Sequence, residues 1–73
     1  MAEVVPKEGS GKIFVVELKD WADREAARAL FQTTRLEFSD QAVVKDVASK
    51  INDQASLIRS AQEYLDAQTI QLV

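Results

Sequence analysis

Residues 44–72 read VKDVASKINDQASLIRSAQEYLDAQTIQL, and this stretch decides the fold. Its apolar and small residues recur at alternating steps of three and four, with Gln54 and Gln68 as polar interruptions. That spacing places them on one face of an amphipathic α-helix, in the a and d positions of a heptad pattern. A helix with this much organised apolar surface is expected to pack lengthwise against another element or another chain.

The length of this helix predicts that it extends past its own domain. A helix over residues 40–68 would span roughly 43 Å at the α-helical rise, whereas a compact domain of this length has a diameter of roughly 30 Å. Either the helix breaks near Asn52 and Asp53, or it continues and its far half lies on another chain. We favour the continuous helix; the remaining alternative is that the whole pattern is intramolecular core.

The residues predicted to bind a partner lie on this face or directly beside it. Val43, Leu57 and Tyr64 occupy g-type positions and widen the apolar face beyond the narrow seam of a two-stranded coiled coil. The predicted partner-binding residues are Val44, Val47, Ile51, Gln54, Leu57, Ile58, Ala61, Tyr64 and Leu65.

The N-terminal part of the chain has the pattern of a β-hairpin. Residues 3–5 and 12–19 are extended in character, and the turn-rich residues 7–11 between them hold both glycines. Pro6 suits an edge strand only. Because residues 13–18 concentrate the large apolar side chains, we expect Phe14 to be essential for folding and residues 1–11 to be largely dispensable.

Two helices are predicted after the hairpin. Asp20 is the expected N-cap of a helix from Trp21 to about Phe31, and Trp21 is expected to anchor the core at its start. Residues 35–38 are compatible with a short strand or with further helical turns, and Ser39 is the expected N-cap of the long helix. The sequence therefore predicts a single α+β domain over residues 1–73, with a β-hairpin, a short helix and a long C-terminal helix.

The composition argues against catalysis and against cofactor or metal binding. The chain has neither histidine nor cysteine, so its hydroxyl groups lack an imidazole to activate them and no thiolate can bind a metal. The carboxylate pairs Asp20/Asp23 and Glu63/Asp66 have the spacing of an ordinary solvated helix surface. We therefore expect no enzyme activity, no cofactor and no metal.

Charge and hydropathy also argue against nucleic acid and membranes as partners. The formal net charge is −3, and the basic residues Arg24, Arg28 and Arg35 would share one face only if the first helix continued to Arg35. The longest apolar run, residues 13–16, is far shorter than the roughly 20 residues of a membrane span. Together with the lack of cysteine and of a signal sequence, this indicates a cytoplasmic protein.

The sequence thus predicts a non-enzymatic interaction module or assembly subunit. It would self-associate or dock on a larger protein through its C-terminal helix. The alternative is a small inhibitor of antitoxin or immunity type, which would neutralise a partner protein through the same helix.

Overall fold

The structure, a computed structural model, describes residues 1–72, and it describes the side chains of residues 1–66. Its elements in chain order are β1 (Glu3–Pro6), β2 (Phe14–Glu17), α1 (Trp21–Phe31), β3 (Glu37–Phe38) and α2 (Gln41–Leu72). The predicted α+β class and the order of the elements are confirmed.

The three strands form one antiparallel sheet in the order β1-β2-β3. Val4 pairs with Val16, and Phe14 pairs with both Pro6 and Phe38, so these side chains share the face that packs on α2. The opposite face carries the paired Val5 and Val15 among acidic neighbours, namely Glu3, Glu17 and Glu37. The strand predicted over residues 12–19 is shorter than expected, because its pairing ends at Phe14 and Glu17.

The turn of the hairpin requires one of its two glycines. Gly9 has a φ of 82°, a left-handed conformation that side chains disfavour. The N–H of Lys7 donates to the carbonyl of Ile13 at 2.8 Å and closes the loop.

Helix α1 begins and ends with clear caps. The Asp20 side chain accepts from the backbone N–H of Asp23 at 3.0 Å, as predicted for the N-cap. At the other end Gln32 adopts a left-handed conformation with φ 62°, and its N–H donates to the carbonyl of Arg28 at 2.9 Å. The helix therefore stops before Arg35.

The packing of α1 on α2 is made largely by alanines. Ala22, Ala26 and Ala27 are fully buried on α1, and Ala48 and Ala55 are buried on α2. Within the described residues α1 contacts α2 and no strand, so its alanine face points at that helix. Side chains this small allow two helices to approach closely.

Helix α2 runs without a break through Asn52 and Asp53. Asparagine weakens helices when its side chain bonds to nearby backbone, but Asn52 is engaged elsewhere. Its Oδ1 accepts from the N–H of Ala2 at 2.7 Å, and its Nδ2 donates to the carbonyl of Ala2 at 3.1 Å. The continuous helix gives the molecule extents of 54 × 19 × 18 Å, so the predicted extension beyond the compact body is confirmed.

Several predictions are corrected by the structure. The N-cap of α2 is Asp40 and not Ser39, because Asp40 Oδ1 accepts from the N–H groups of Ala42 and Val43 at 2.9 and 3.2 Å. Residues 37 and 38 form strand β3, so this segment is a short strand and not a continuation of the helix. The N-terminal segment is an integral strand with a buried Ala2, so we no longer expect it to be dispensable.

We predict that Asn52→Ala destabilises the fold by about 1–3 kcal/mol, because the two backbone groups of the buried Ala2 lose their partners. Asp53→Ala is the matched control, since Asp53 is exposed, follows directly in α2 and has a similar helix propensity. Its effect should stay within about 0.5 kcal/mol. Urea unfolding followed by circular dichroism measures both, and equal effects would show that the contact between Asn52 and Ala2 contributes nothing.

Candidate interaction surface

The first half of α2 is used by the chain itself. Val44 and Ile51 are 0% exposed and Val47 is 7% exposed, in one core with α1 and the inner face of the sheet. These three residues were predicted to bind a partner, and that assignment is corrected here. Their side chains already fill the intramolecular core, so a second chain cannot reach them in the folded protein.

The second half of α2 leaves the core and exposes its apolar residues. Leu57, Tyr64 and Leu65 are 64%, 65% and 58% exposed, and Ala61 is exposed beside them. We call these four residues the α2 stripe. Gln54 and Ile58 are partly buried and lie at its border with the core. The remaining positions of the predicted seam, Gln68 and Leu72, lie outside the residues with described side chains.

One heptad pattern has two environments because α2 is longer than the body on which it packs. The apolar residues of α2 in the core or packed against it end at Ile58, whereas every side chain from Ser60 to Asp66 is exposed, on all faces of the helix. The pattern that begins on the core at Val44 is therefore on the surface by Leu65.

Arg59 fixes the point at which α2 leaves the body. Its Nη2 donates to Asp20 Oδ2 at 2.7 Å, to Asp20 Oδ1 at 3.0 Å and to Asp23 Oδ1 at 3.1 Å. Asp23 is fully buried, and its other oxygen accepts from the N–H of Lys19 at 3.1 Å. The α-amino group of Met1 also lies 3.6 Å from this oxygen. One guanidinium thus joins α2 to the capped first turn of α1.

This contact shifts the titration of both partners. The hydrogen bond from Arg59, followed by that from the N–H of Asp23, lowers the pKa of the Asp20 carboxyl from its usual value. The hydrogen bond to Asp20 in turn raises the pKa of Arg59. Both shifts favour the charged pair, so the contact persists across the physiological pH range.

The helix surface around the stripe has few charges. From residue 54 to residue 62 Arg59 is the only ionised side chain, and it is already bound to two carboxylates. Charged residues are depleted at the centres of protein interfaces and common on ordinary surfaces. Beyond this segment every side chain from Glu63 to Asp66 is also exposed.

Trp21 was predicted to anchor the core, but it is a surface residue. It is 46% exposed and directly follows Asp20, so it lies at the same end of the body as Arg59. The sequence does indicate that Trp21 is exposed. The spacing of Ala22, Ala26 and Ala27 puts the buried face of α1 opposite Trp21. Trp21 therefore adds exposed aromatic surface near the base of the projecting helix.

The basic residues do not form a shared stripe. Arg24 and Arg28 lie on α1, and Arg28 Nη1 is 2.6 Å from Glu25 Oε1. Arg35 follows the end of that helix and helps to line a cleft of about 330 Å³ beside the outer face of the sheet, together with Val15, Thr34, Leu36 and Glu37. Thr34 is the one hydroxyl in this lining, and the chain has no imidazole to activate it.

Comparisons with known proteins identify no relative. No family model, curated protein or solved structure matches this chain. Among the described residues no cluster of carboxylates is arranged to hold a metal ion, and no helix is long and apolar enough to cross a membrane.

We predict that the Asp20–Arg59 contact makes stability sensitive to acid. Because the pKa of Asp20 is lowered in the folded state, its stabilisation is present above the ordinary carboxyl value and is lost as the pH falls below about 4. Asp20→Asn keeps a good N-cap but removes the charge. Its melting temperature should lie below that of the wild type at pH 6, and the difference should shrink toward pH 3.

An Arg59→Gln background provides the control for this measurement. There the effect of Asp20→Asn on the melting temperature should depend much less on pH, because the principal cause of the pKa shift is gone. An unchanged pH dependence in that background would show that Arg59 is not the partner that matters.

Proposed function

We propose that this protein is a non-enzymatic interaction module or assembly subunit that binds another protein surface through the α2 stripe. The proposal rests on one observation. Three large apolar side chains are exposed together on the second half of α2, namely those of Leu57, Tyr64 and Leu65. Contiguous exposed apolar surface of this kind is typical of interaction sites.

The described side chains of the projecting half of α2 are exposed. Residues 60–66 extend a helix that is packed only as far as Arg59. Most helices in proteins are stabilised by packing of their apolar face. Docking of the α2 stripe on another protein would supply that packing.

The anchor at Arg59 suits this role. It holds the last buried turn of α2 against the capped start of α1, so the helix leaves the body in a fixed direction. A binding helix that is oriented in advance loses less conformational entropy on association. The body of the protein then acts as a base that presents the helix.

The other classes of function have less support. An inhibitor of antitoxin type would use the same stripe, and no separate feature of the described residues favours it. An enzyme would need a group to activate a nucleophile, and nucleic-acid binding would need more positive charge than this acidic chain carries. The absence of cysteine fits the cytoplasmic setting that we propose.

We predict that a photo-reactive p-benzoyl-phenylalanine in place of Tyr64 forms discrete protein adducts in cells that produce this protein. The same group in place of Lys45, which is also exposed on α2 but off the stripe, is the matched control and should form few. Adding Leu65→Asp should reduce the adduct from position 64 by about tenfold or more, because a charge opposes burial of the stripe. Circular dichroism should show an unchanged fold, since Leu65 is exposed.

Equal adduct yields at positions 64 and 45 would contradict the proposed function. So would an adduct at position 64 that Leu65→Asp leaves unchanged.

A further inference from the structure

The cleft beside the outer face of the sheet combines hydrogen-bond donors with an apolar surface. Its volume is about 330 Å³, which is at the lower end of the range for sites that bind small molecules. Arg35 and Thr34 line it and bring a guanidinium and a hydroxyl group, both of which donate hydrogen bonds. Val15 contributes an apolar side chain that is only half-buried.

The carboxylates around this cleft are already paired with lysines. Glu37, the one carboxylate among the described residues of the lining, has its Oε1 2.7 Å from Lys7 Nζ. The other two carboxylates of the outer face, Glu3 and Glu17, lie 3.6 and 2.6 Å from Lys19 Nζ. The acidic groups nearest to the cleft are therefore neutralised within the chain.

Arg35 is the cation that this pairing leaves over. It is exposed, and no carboxylate among the residues with described side chains lies at ion-pair distance from it. Its backbone is held in place, because its N–H donates to Thr33 Oγ1 at 3.1 Å and the carbonyl of Leu36 accepts from the N–H of Val16 at 3.0 Å. A fixed segment thus presents an unpaired guanidinium at an apolar cleft.

A carboxylate is the group that one guanidinium binds best, because the planar fork donates two parallel hydrogen bonds to its two oxygens. We propose that this cleft binds a small organic monocarboxylate, with the carboxylate on Arg35 and the apolar part on Val15. The hydroxyl group of Thr34 donates a further hydrogen bond to the acid. The cleft shares no residue with the α2 stripe, so this inference is independent of the proposed function.

Charge and shape together select this class of anion. Among the described residues that line the cleft Arg35 is the one cation, whereas a phosphate dianion needs more positive charge than one guanidinium supplies. The formal net charge of −3 also repels a dianion more strongly than a monoanion. Because Val15 offers apolar surface, a ligand with a hydrocarbon body is favoured over an inorganic anion.

Titration with benzoate, followed by nuclear magnetic resonance, tests the inference, and benzamide is the neutral probe of the same shape. Benzoate should shift the amide signals of Val15 and of residues 34–37 in a saturable way, with a millimolar Kd because the ligand is small. It should bind about tenfold more tightly than benzamide, because a charge-assisted hydrogen bond is stronger than a neutral one. Acetate, which lacks the apolar body, should bind more weakly than benzoate.

Arg35→Gln should weaken benzoate binding about tenfold and change benzamide binding much less, because it removes the charge that faces the carboxylate. Thr34→Val, which replaces the hydroxyl group by a methyl group, should weaken benzoate binding by a smaller factor. Arg24→Gln is the matched control and should leave binding unchanged. It removes the same charge from an exposed arginine that lies on α1 and does not line the cleft.

Three results would overturn the inference. The absence of a saturable shift at Val15 and residues 34–37 in the wild type would exclude the site. Equal binding of benzoate and benzamide, or equal losses in Arg35→Gln and Arg24→Gln, would show that Arg35 does not recognise the carboxylate. Tighter binding of inorganic phosphate than of benzoate would show a general anion site instead. None of these results would bear on the proposed function, which is tested by the adduct at position 64.

Discussion

The packing of α2 against both α1 and the sheet is the contact on which the rest of this structure depends. Helix α1 packs on α2, and the inner face of the sheet packs on α2 as well, so neither would be covered without it. More than half of the buried apolar residues described are alanines. They bring the elements close together, but each contributes little apolar area. The largest fully buried apolar side chains, Val44 and Ile51, both come from α2.

The same helix also creates the exposed surface. Roughly three turns of α2, from Val44 to Ala55, are enough to cover the body, yet the helix continues for 32 residues in all. The helix then continues past the body, and Arg59 fixes the place where it leaves it. In the proposed function, a partner that packs on the stripe would also stabilise the end of the helix that anchors α1.

Much of this architecture was predictable from the sequence. The spacing from Val44 onward predicted the long helix, and Asp20 predicted the start of α1, because periodicity and capping act over short distances along the chain. Which part of the heptad pattern is buried and which part is exposed was not predictable in the same way. It depends on how far the body reaches along α2, and that is set by tertiary contacts such as the bond of Asn52 to Ala2 and the pairing of Arg59 with Asp20. Trp21 was misplaced because its apolar character was given more weight than its position opposite the alanine face.

Helix α2 has a core half that packs within the chain and a projecting half that is exposed, and in the proposed function the projecting half is stabilised by a bound protein. Amide hydrogen exchange along α2 measures this division. At low concentration amides from Val44 to Ala55 should be strongly protected, while those from Ala61 to Asp66 should exchange rapidly, because few packed contacts oppose local unfolding there. When a protein is bound to the stripe, the second group should gain protection and the first should change little. Strong protection of residues 61–66 without any bound protein would show instead that the projecting half is stable by itself.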